Sequence, residues 1–224
     1  MKSRYLKVKR IFDVVASLMA IIICIIPWII ITIIIKIQSP GPVIYKAKRV
    51  GQNGKIFTLY KFRSMRVDSG AIHSTTLRGD PRIFPFGEFL RKSKLDETLQ
   101  LINILKGDMS IIGPRPEDKD NAAKFYVGKY KKILSVKPGL SSPASLYDYT
   151  HGEVYDDEET YVREFLPKKL DVELYYIKHR SSSYDFKIIL RTVVTIFLVM
   201  MGKENLKEPR EVKLCEKEKR RQFY

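Results

Sequence analysis

Two adjacent acids and a proline-flanked arginine are the residues in this chain best suited to chemistry. Asp96 and Glu97 stand side by side in "KSKLDETLQLINILKGDMS", and Arg115 lies between Pro114 and Pro116 in "GPRP". With Ser93 read as the N-cap of a helix that stops at Gly107, both acids fall in the first turn, where unpaired N–H groups and the helix dipole keep a carboxylate ionised. An ionised carboxylate needs no base to act as a nucleophile. The same position also suits acids that do no more than cap a helix, at about 1 kcal/mol each. The two prolines restrict the backbone around Arg115, so its planar fork is pre-aimed for a phosphate. A plain turn pairing with Asp108 or Glu117 is the structural alternative. Lys61, Arg63 and Arg91 add positive charge if folding gathers them.

Acids and cations together fit phosphoryl chemistry on a diphosphate, and two hard oxygen ligands, Asp96 and Glu97, make Mg²⁺ the expected ion. The chain has no Walker motif and no dinucleotide fingerprint, which argues against an ATPase or a dehydrogenase. Cys24 and Cys215 are too few and too far apart for a disulfide framework or a zinc site, and His73, His151 and His179 are scattered.

The elements that must position these residues are mostly helical. Val43 to Val50 and Lys55 to Phe62 are β-prone runs around Asn53-Gly54, a strong hairpin signal, and alternation along the second run sends Lys61 and Arg63 out together. Residues 66–82 read as a polar surface loop. Helix resumes at Pro85, with Leu95, Leu99, Ile102 and Leu105 forming an apolar stripe, and further helical patterns follow beyond "VKPGLSSP". The fold class is α+β, mostly α, with one small β-hairpin.

A balance of 41 Lys+Arg against 25 Asp+Glu, net +16, suits a phosphate-rich partner: nucleic acid, anionic lipid or a nucleotide substrate. From Ile11 to Ile35 the only charge is Asp13, and a helix there reaches ~37 Å, enough to cross a ~30 Å hydrocarbon core. Basic residues flank the run on both sides, so both ends claim the cytoplasmic side. Pro27 offers a bend, and the expectation is a re-entrant helix-break-helix rather than a spanning anchor. "VVTIFLVMMG" (193–202) is too short to span and reads as part of an amphipathic helix lying in the interface. The chain divides into a basic flank and membrane helix (1–38), a catalytic domain with interfacial helices (39–202) and a charged, loosely held tail (203–224).

"KFRSM" (61–65), "LDE" (95–97), "GDMS" (107–110), "GPRP" (113–116) and "KPGL" (137–140) occur in the order seen in the bacterial sugar transferases, and the chain resembles a small monotopic phosphoglycosyl transferase. The resemblance implies transfer of a sugar 1-phosphate from a UDP-sugar to polyprenyl (undecaprenyl) phosphate, giving polyprenyl-diphosphate-sugar and UMP. It places the nucleophile at Asp96, which would form a phosphosugar-aspartyl intermediate, the second acid at Glu97 and the phosphate-engaging arginine at Arg115. It further implies a bilayer partner, no nucleic acid, and a place in the bacterial plasma (inner) membrane with the active site on the cytoplasmic face, at the first membrane step of a glycoconjugate pathway. Two departures stand out: Ile26, where many relatives place serine before the helix-breaking proline, and Ser141-Ser142-Pro143, where many continue with Thr-Gly-Trp. The competing reading is a non-catalytic basic protein that binds a membrane surface, with Asp96 and Glu97 only capping a helix. A nucleotidyl enzyme on a simple spanning anchor is a third.

Overall fold

The computed structural model describes residues 2–67, 80–152, 157–203 and 206–222. Its first element, α1 (Lys2–Gln38), carries the apolar run. Pro27 lies inside this continuous helix, not between two helices as the sequence suggested. A proline removes one intrahelical N–H, and neighbouring turns can hold the helix on either side of that gap. Among the described residues this helix alone is long and apolar enough to cross a membrane, judged by length and composition.

The helix is packed along one side only. Asp13, its lone charge in the apolar run, is buried and accepts from Ser110 Oγ at 2.8 Å and from the Ile111 backbone N–H at 3.0 Å. Ala20 and Ile21 pack with Phe57, Leu59, Leu101 and Ile104, and Ile31 and Ile35 pack with Phe62, Phe84, Leu90 and Leu99. The fully buried Ile31 and Ile35 each contribute roughly 2 kcal/mol. The spacing of 13, 17, 20/21, 28, 31 and 35 is one helical face, and the opposite face exposes Ile11, Val15, Leu18, Ile22, Ile26, Ile29 and Ile33.

Strands β1 (Ile44–Val50) and β2 (Ile56–Phe62) form the expected antiparallel hairpin, in register Val50↔Ile56. Asn53 and Gly54 both have positive φ, 56° and 78°, as an Asn-Gly turn requires, within a short 3₁₀ turn over Gln52–Gly54. Of the polar stretch 66–82, residues 68–79 lie outside the described residues; Met65 bridges Ile83 just past it. Next come α2 (Pro85–Ser93), a 3₁₀ turn (Leu95–Leu99) and α3 (Gln100–Lys106), which ends at Gly107 with φ 86°. Residues 93–107 thus form a bent unit, not one helix with one apolar stripe. Leu99 and Ile102 face one core cluster while Leu101 and Ile104 face another, so α3 is apolar on two sides.

Short strands β3 (Ser110–Ile112) and β4 (Gly139–Ser141) pair in parallel. Between them lie α4 (Lys119–Phe125) and a 3₁₀ stretch (Gly128–Ser135). After β4 come α5 (Pro143–His151), a single turn α6 (Glu158–Thr160), a π turn (Tyr161–Phe165) and α7 (Leu166–His179). Helix α8 (Ser182–Met200) follows, exposing Phe186, Leu190, Val193, Val194, Phe197 and Met200.

The C-terminal segment departs from expectation. Its helix α9 (Arg210–Gln222) is tied down: Glu211 is fully buried, takes both guanidinium nitrogens of Arg191 at 2.7 and 3.0 Å and accepts from Tyr184 Oη. Val212 joins a core cluster with Tyr147, Phe165 and Val172. Within a highly charged stretch these two residues carry the attachment, which composition alone hides.

Candidate active site

The acid pair occupies the 3₁₀ turn between α2 and α3. Lys94, with a left-handed φ of 57°, makes the sharp junction and stands in the capping place assigned to Ser93. Ser93 instead closes α2, its hydroxyl turned back to the carbonyls of Phe89 and Leu90 at 2.8 and 3.2 Å. The turn is held from outside: Thr98 Oγ1 donates to the Leu95 carbonyl and accepts from Trp28 Nε1 of α1 at 2.9 Å.

Arg115 reaches the same place from a loop crossing. Gly113 N–H bonds Ser141 O, and Gly139 N–H bonds Pro114 O at 2.8 Å. The two glycines pass so closely that a Cβ on Gly139 would lie 2.1 Å from Gly113 N, which is why "GPRP" and "KPGL" each need glycine there. Buried Glu173 of α7 accepts from Arg115 N–H at 3.1 Å and from Ser142 Oγ at 3.0 Å, locking this backbone to the start of α5.

Arg115 grips Glu97 with both guanidinium nitrogens, at 2.8 and 3.3 Å, neither Asp108 nor Glu117 being its partner. Burial alone would raise the Glu97 carboxyl, but Arg115 and Lys94 outweigh it and hold the acid far below the usual range, ionised. Asp96 responds in the opposite sense. Burial and the neighbouring Glu97 charge raise it, opposed by Lys61, Lys94 and Arg91. Helix-start stabilisation is therefore not what governs Asp96: it is 3 % exposed, and its Oδ1 is buried with no hydrogen-bond partner. Two neighbouring acids with pKa values pushed apart are an arrangement that acid, base and nucleophilic chemistry uses.

Glu97 borders a cleft of about 290 Å³ also lined by Lys61, Arg91, Lys94, Arg115, Asp148 and Lys169, and Asp96 is buried in the same turn, between the lining residues Lys94 and Glu97. Lys61, Arg91 and Arg115 thus converge as the sequence suggested. Arg63 does not. Strand β2 ends at Phe62, so the alternation lapses, and the buried Arg63 guanidinium donates instead to the carbonyls of Ser39 and Pro40 where α1 exits. The Lys61 ammonium is lowered by burial, against the pull of Asp96 and Glu97.

Sequence reasoning missed several lining residues. Lys94 sits 4.3 Å over the ring of Tyr149, and buried Lys169 donates to Asp148 at 3.0 Å and to Tyr161 Oη at 3.2 Å. Lys169 and Arg115 overcome the burial of Asp148 and lower its pKa. Outside the lining, fully buried Asn103 ties α3 to β2 by accepting from Tyr60 N–H and donating to the Thr58 carbonyl. Their only signal was polar residues inside helical patterns.

Among the described residues no group of three or more His, Cys, Asp or Glu side chains forms a metal cluster. The donor set still fits Mg²⁺, which takes one or two carboxylates and completes its shell with water and substrate phosphates. The orphaned Asp96 Oδ1 offers one such oxygen, whereas both Glu97 oxygens are engaged by Arg115.

Residues 4–199 match the family model described as bacterial sugar transferase. The chain belongs to this family. Relatives of this bacterial sugar transferase include a UDP-N-acetylgalactosamine-undecaprenyl-phosphate N-acetylgalactosaminephosphotransferase of Aeromonas hydrophila, 37% identical over 86% of this chain and 44% of that protein. A UDP-glucose:undecaprenyl-phosphate glucose-1-phosphate transferase of Escherichia coli is 35% identical over 75% of this chain and 35% of its own length. A putative undecaprenyl-phosphate N-acetylgalactosaminyl 1-phosphate transferase of Bacillus subtilis is 44% identical over 55% of this chain and 69% of that protein. The chain spans less than half the length of the Aeromonas and Escherichia relatives. The part of this bacterial sugar transferase that matches the family model includes every residue of the cleft and stops short of α9.

Proposed function

We propose that the chain transfers a sugar 1-phosphate from a UDP-sugar to polyprenyl phosphate, yielding polyprenyl-diphosphate-sugar and UMP. The observation that carries this reading is the divided acid pair: Glu97 fixed and ionised by Arg115, and Asp96 with an unpartnered buried oxygen between Lys94 and Glu97, which line the cationic cleft. The names of the Aeromonas and Escherichia relatives describe the same class of donor and acceptor.

In the first step an Asp96 carboxylate oxygen attacks the phosphorus nearer the sugar. The bond from that phosphorus to the bridging oxygen breaks, and UMP leaves with the electron pair. In the second, an oxygen of the lipid phosphate attacks the same phosphorus, the acyl-phosphate bond breaks and the carboxylate returns. Splitting the transfer means that two anionic substrates never need to be bound together. Lys61, Arg91 and Lys94 offset the diphosphate charge and favour ionised Asp96. Glu97 keeps Arg115 oriented toward the cleft. A Mg²⁺ ion at Asp96, when bound, would add positive charge against the diphosphate.

The proposed membrane course is monotopic, with both ends of α1 on one side of the bilayer. It is supported by the contacts of α1 near its start (Lys9 with Asp185), middle (Trp28 with Thr98) and end (Ile35 with Phe62), all with one folded unit. A helix crossing hydrocarbon could not keep a polar domain along its full length. The exposed apolar faces of α1 and α8 would meet lipid in the cytoplasmic leaflet of a bacterial inner membrane.

Asp96→Asn tests the assignment. UMP release from UDP-sugar with undecaprenyl phosphate should be abolished while folding and membrane binding persist; a variant that turns over normally would leave the basic surface-binding reading standing.

A further inference from the structure

A second pocket, of about 210 Å³, lies at the foot of α1, lined by Lys9, Arg10, Asp13, Lys137 and Arg180 among others. Its charges divide into satisfied and unsatisfied groups. Lys9 pairs with Asp185 at 2.8 Å. Arg10 donates to the carbonyls of Ile104 and Leu105 at the end of α3. Asp13 is engaged by Ser110 and Ile111. That leaves Lys137, which among the described residues has no hydrogen-bond or salt-bridge partner, and Arg180, whose Nε is buried without an acceptor among them. Lys137 Nζ and Arg10 Nη2 crowd the same spot, 3.5 and 3.4 Å from where a Cβ on Gly107 would sit. The lysine pKa is lowered by burial and then by Arg10, with Asp13 and Asp108 opposing.

Around this open cavity Arg10, Lys137 and Arg180 outnumber the Asp13 carboxylate, whose hydrogen-bond donors are neutral, and this excess of cations, one with an orphaned N–H, lacks an anion with several acceptor oxygens. We propose that this pocket binds the phosphate of an anionic membrane lipid and so seats the foot of α1 at head-group level. Phosphate chemistry follows from the cations. A lipid source follows from the rim, where Leu6 lines the pocket and exposed Val8, Ile11 and Phe12 lead onto the apolar face of α1. The site is separate from the acid pair: Arg10 precedes Trp28, which touches the Asp96 turn, by eighteen positions on one continuous helix, ~27 Å at 1.5 Å per residue.

The test follows thermal unfolding of the full chain in neutral detergent with phosphatidylglycerol, phosphatidylcholine or inorganic phosphate. The proteins are wild type, the pair Lys137→Gln/Arg180→Gln, and a charge-matched control, Lys131→Gln/Lys132→Gln, at two exposed positions. Phosphatidylglycerol should raise the midpoint of wild type and control by several degrees, and the pocket variant should lose more than half of that shift. Phosphatidylcholine and millimolar phosphate should do little. Without lipid, the pocket variant should unfold no earlier than wild type, because it relieves repulsion and breaks no hydrogen bond. If it does unfold earlier, native mass spectrometry of the folded fraction makes the same comparison. A shift or lipid retention equal to wild type in the pocket variant overturns the site, and a full shift with inorganic phosphate overturns the lipid assignment. The readout is binding, so it stands or falls apart from UMP release.

Discussion

Trp28 of the long apolar helix donates its indole N–H to Thr98 Oγ1 at 2.9 Å, one residue beyond Glu97. The helix that would meet lipid is thereby fastened to the turn that carries the acid pair. Trp28→Phe keeps the ring packing and removes this bond, worth about 1 kcal/mol net. Transfer should fall about fivefold in kcat with little change in membrane binding, measured as UMP release from vesicle-bound protein.

Lys61 and Arg63, two positions apart, should respond in opposite ways. Lys61→Met removes a cation from the cleft, so KM for the UDP-sugar should rise by about tenfold or more while the melting temperature holds. Arg63→Met leaves the carbonyl of buried Ser39, and that of exposed Pro40, without their guanidinium donor. It should cost about 1–3 kcal/mol in stability and leave KM of the folded fraction unchanged. Denaturant titration paired with steady-state kinetics separates the two.

Glu173 makes stability depend on pH. Burial lifts its carboxyl to about 7, opposed by the Arg115 N–H and Ser142, against about 4.5 in an unfolded chain. The folded state holds the extra proton between those values, so this contribution is full below pH ~4.5 and is lost as pH rises through about 7. The upper limit is about 3 kcal/mol. Glu173→Gln should flatten the fall in stability over that window, read by urea unfolding at stepped pH.

Much of this arrangement could be read in the chain, and the parts that could not share one cause. The hairpin was legible because Asn53 and Gly54 tolerate positive φ, and Gly107 because a helix stop favours the same conformation. Asp96, Glu97 and Arg115 were legible as separate motifs, but the Glu97–Arg115 grip depends on Gly113 crossing Gly139, a contact between distant segments. The turn at Lys94 was invisible because lysine carries no preference for a left-handed backbone. Arg63 was misplaced because alternation says which face a residue takes and not where the strand ends. Lys169, Asp148 and Glu173 belong to no local motif, and only tertiary packing brings them to the site.

The C-terminal helix should be part of the folding unit. Glu211→Ala removes the buried acceptor of half-buried Arg191 and Tyr184, and losing those bonds should cost about 1–3 kcal/mol. Calorimetry should show one lowered transition; an unchanged midpoint would mean that α9 is not held as described.

The central claim is that Asp96 takes the phosphosugar covalently. Active enzyme mixed with UDP-sugar alone, quenched in acid and analysed by intact mass and peptide mapping, should release about one UMP per site and carry a sugar-phosphate adduct on Asp96 that disappears when polyprenyl phosphate is added. Active enzyme that shows no adduct at Asp96, and no UMP until the lipid arrives, would contradict it.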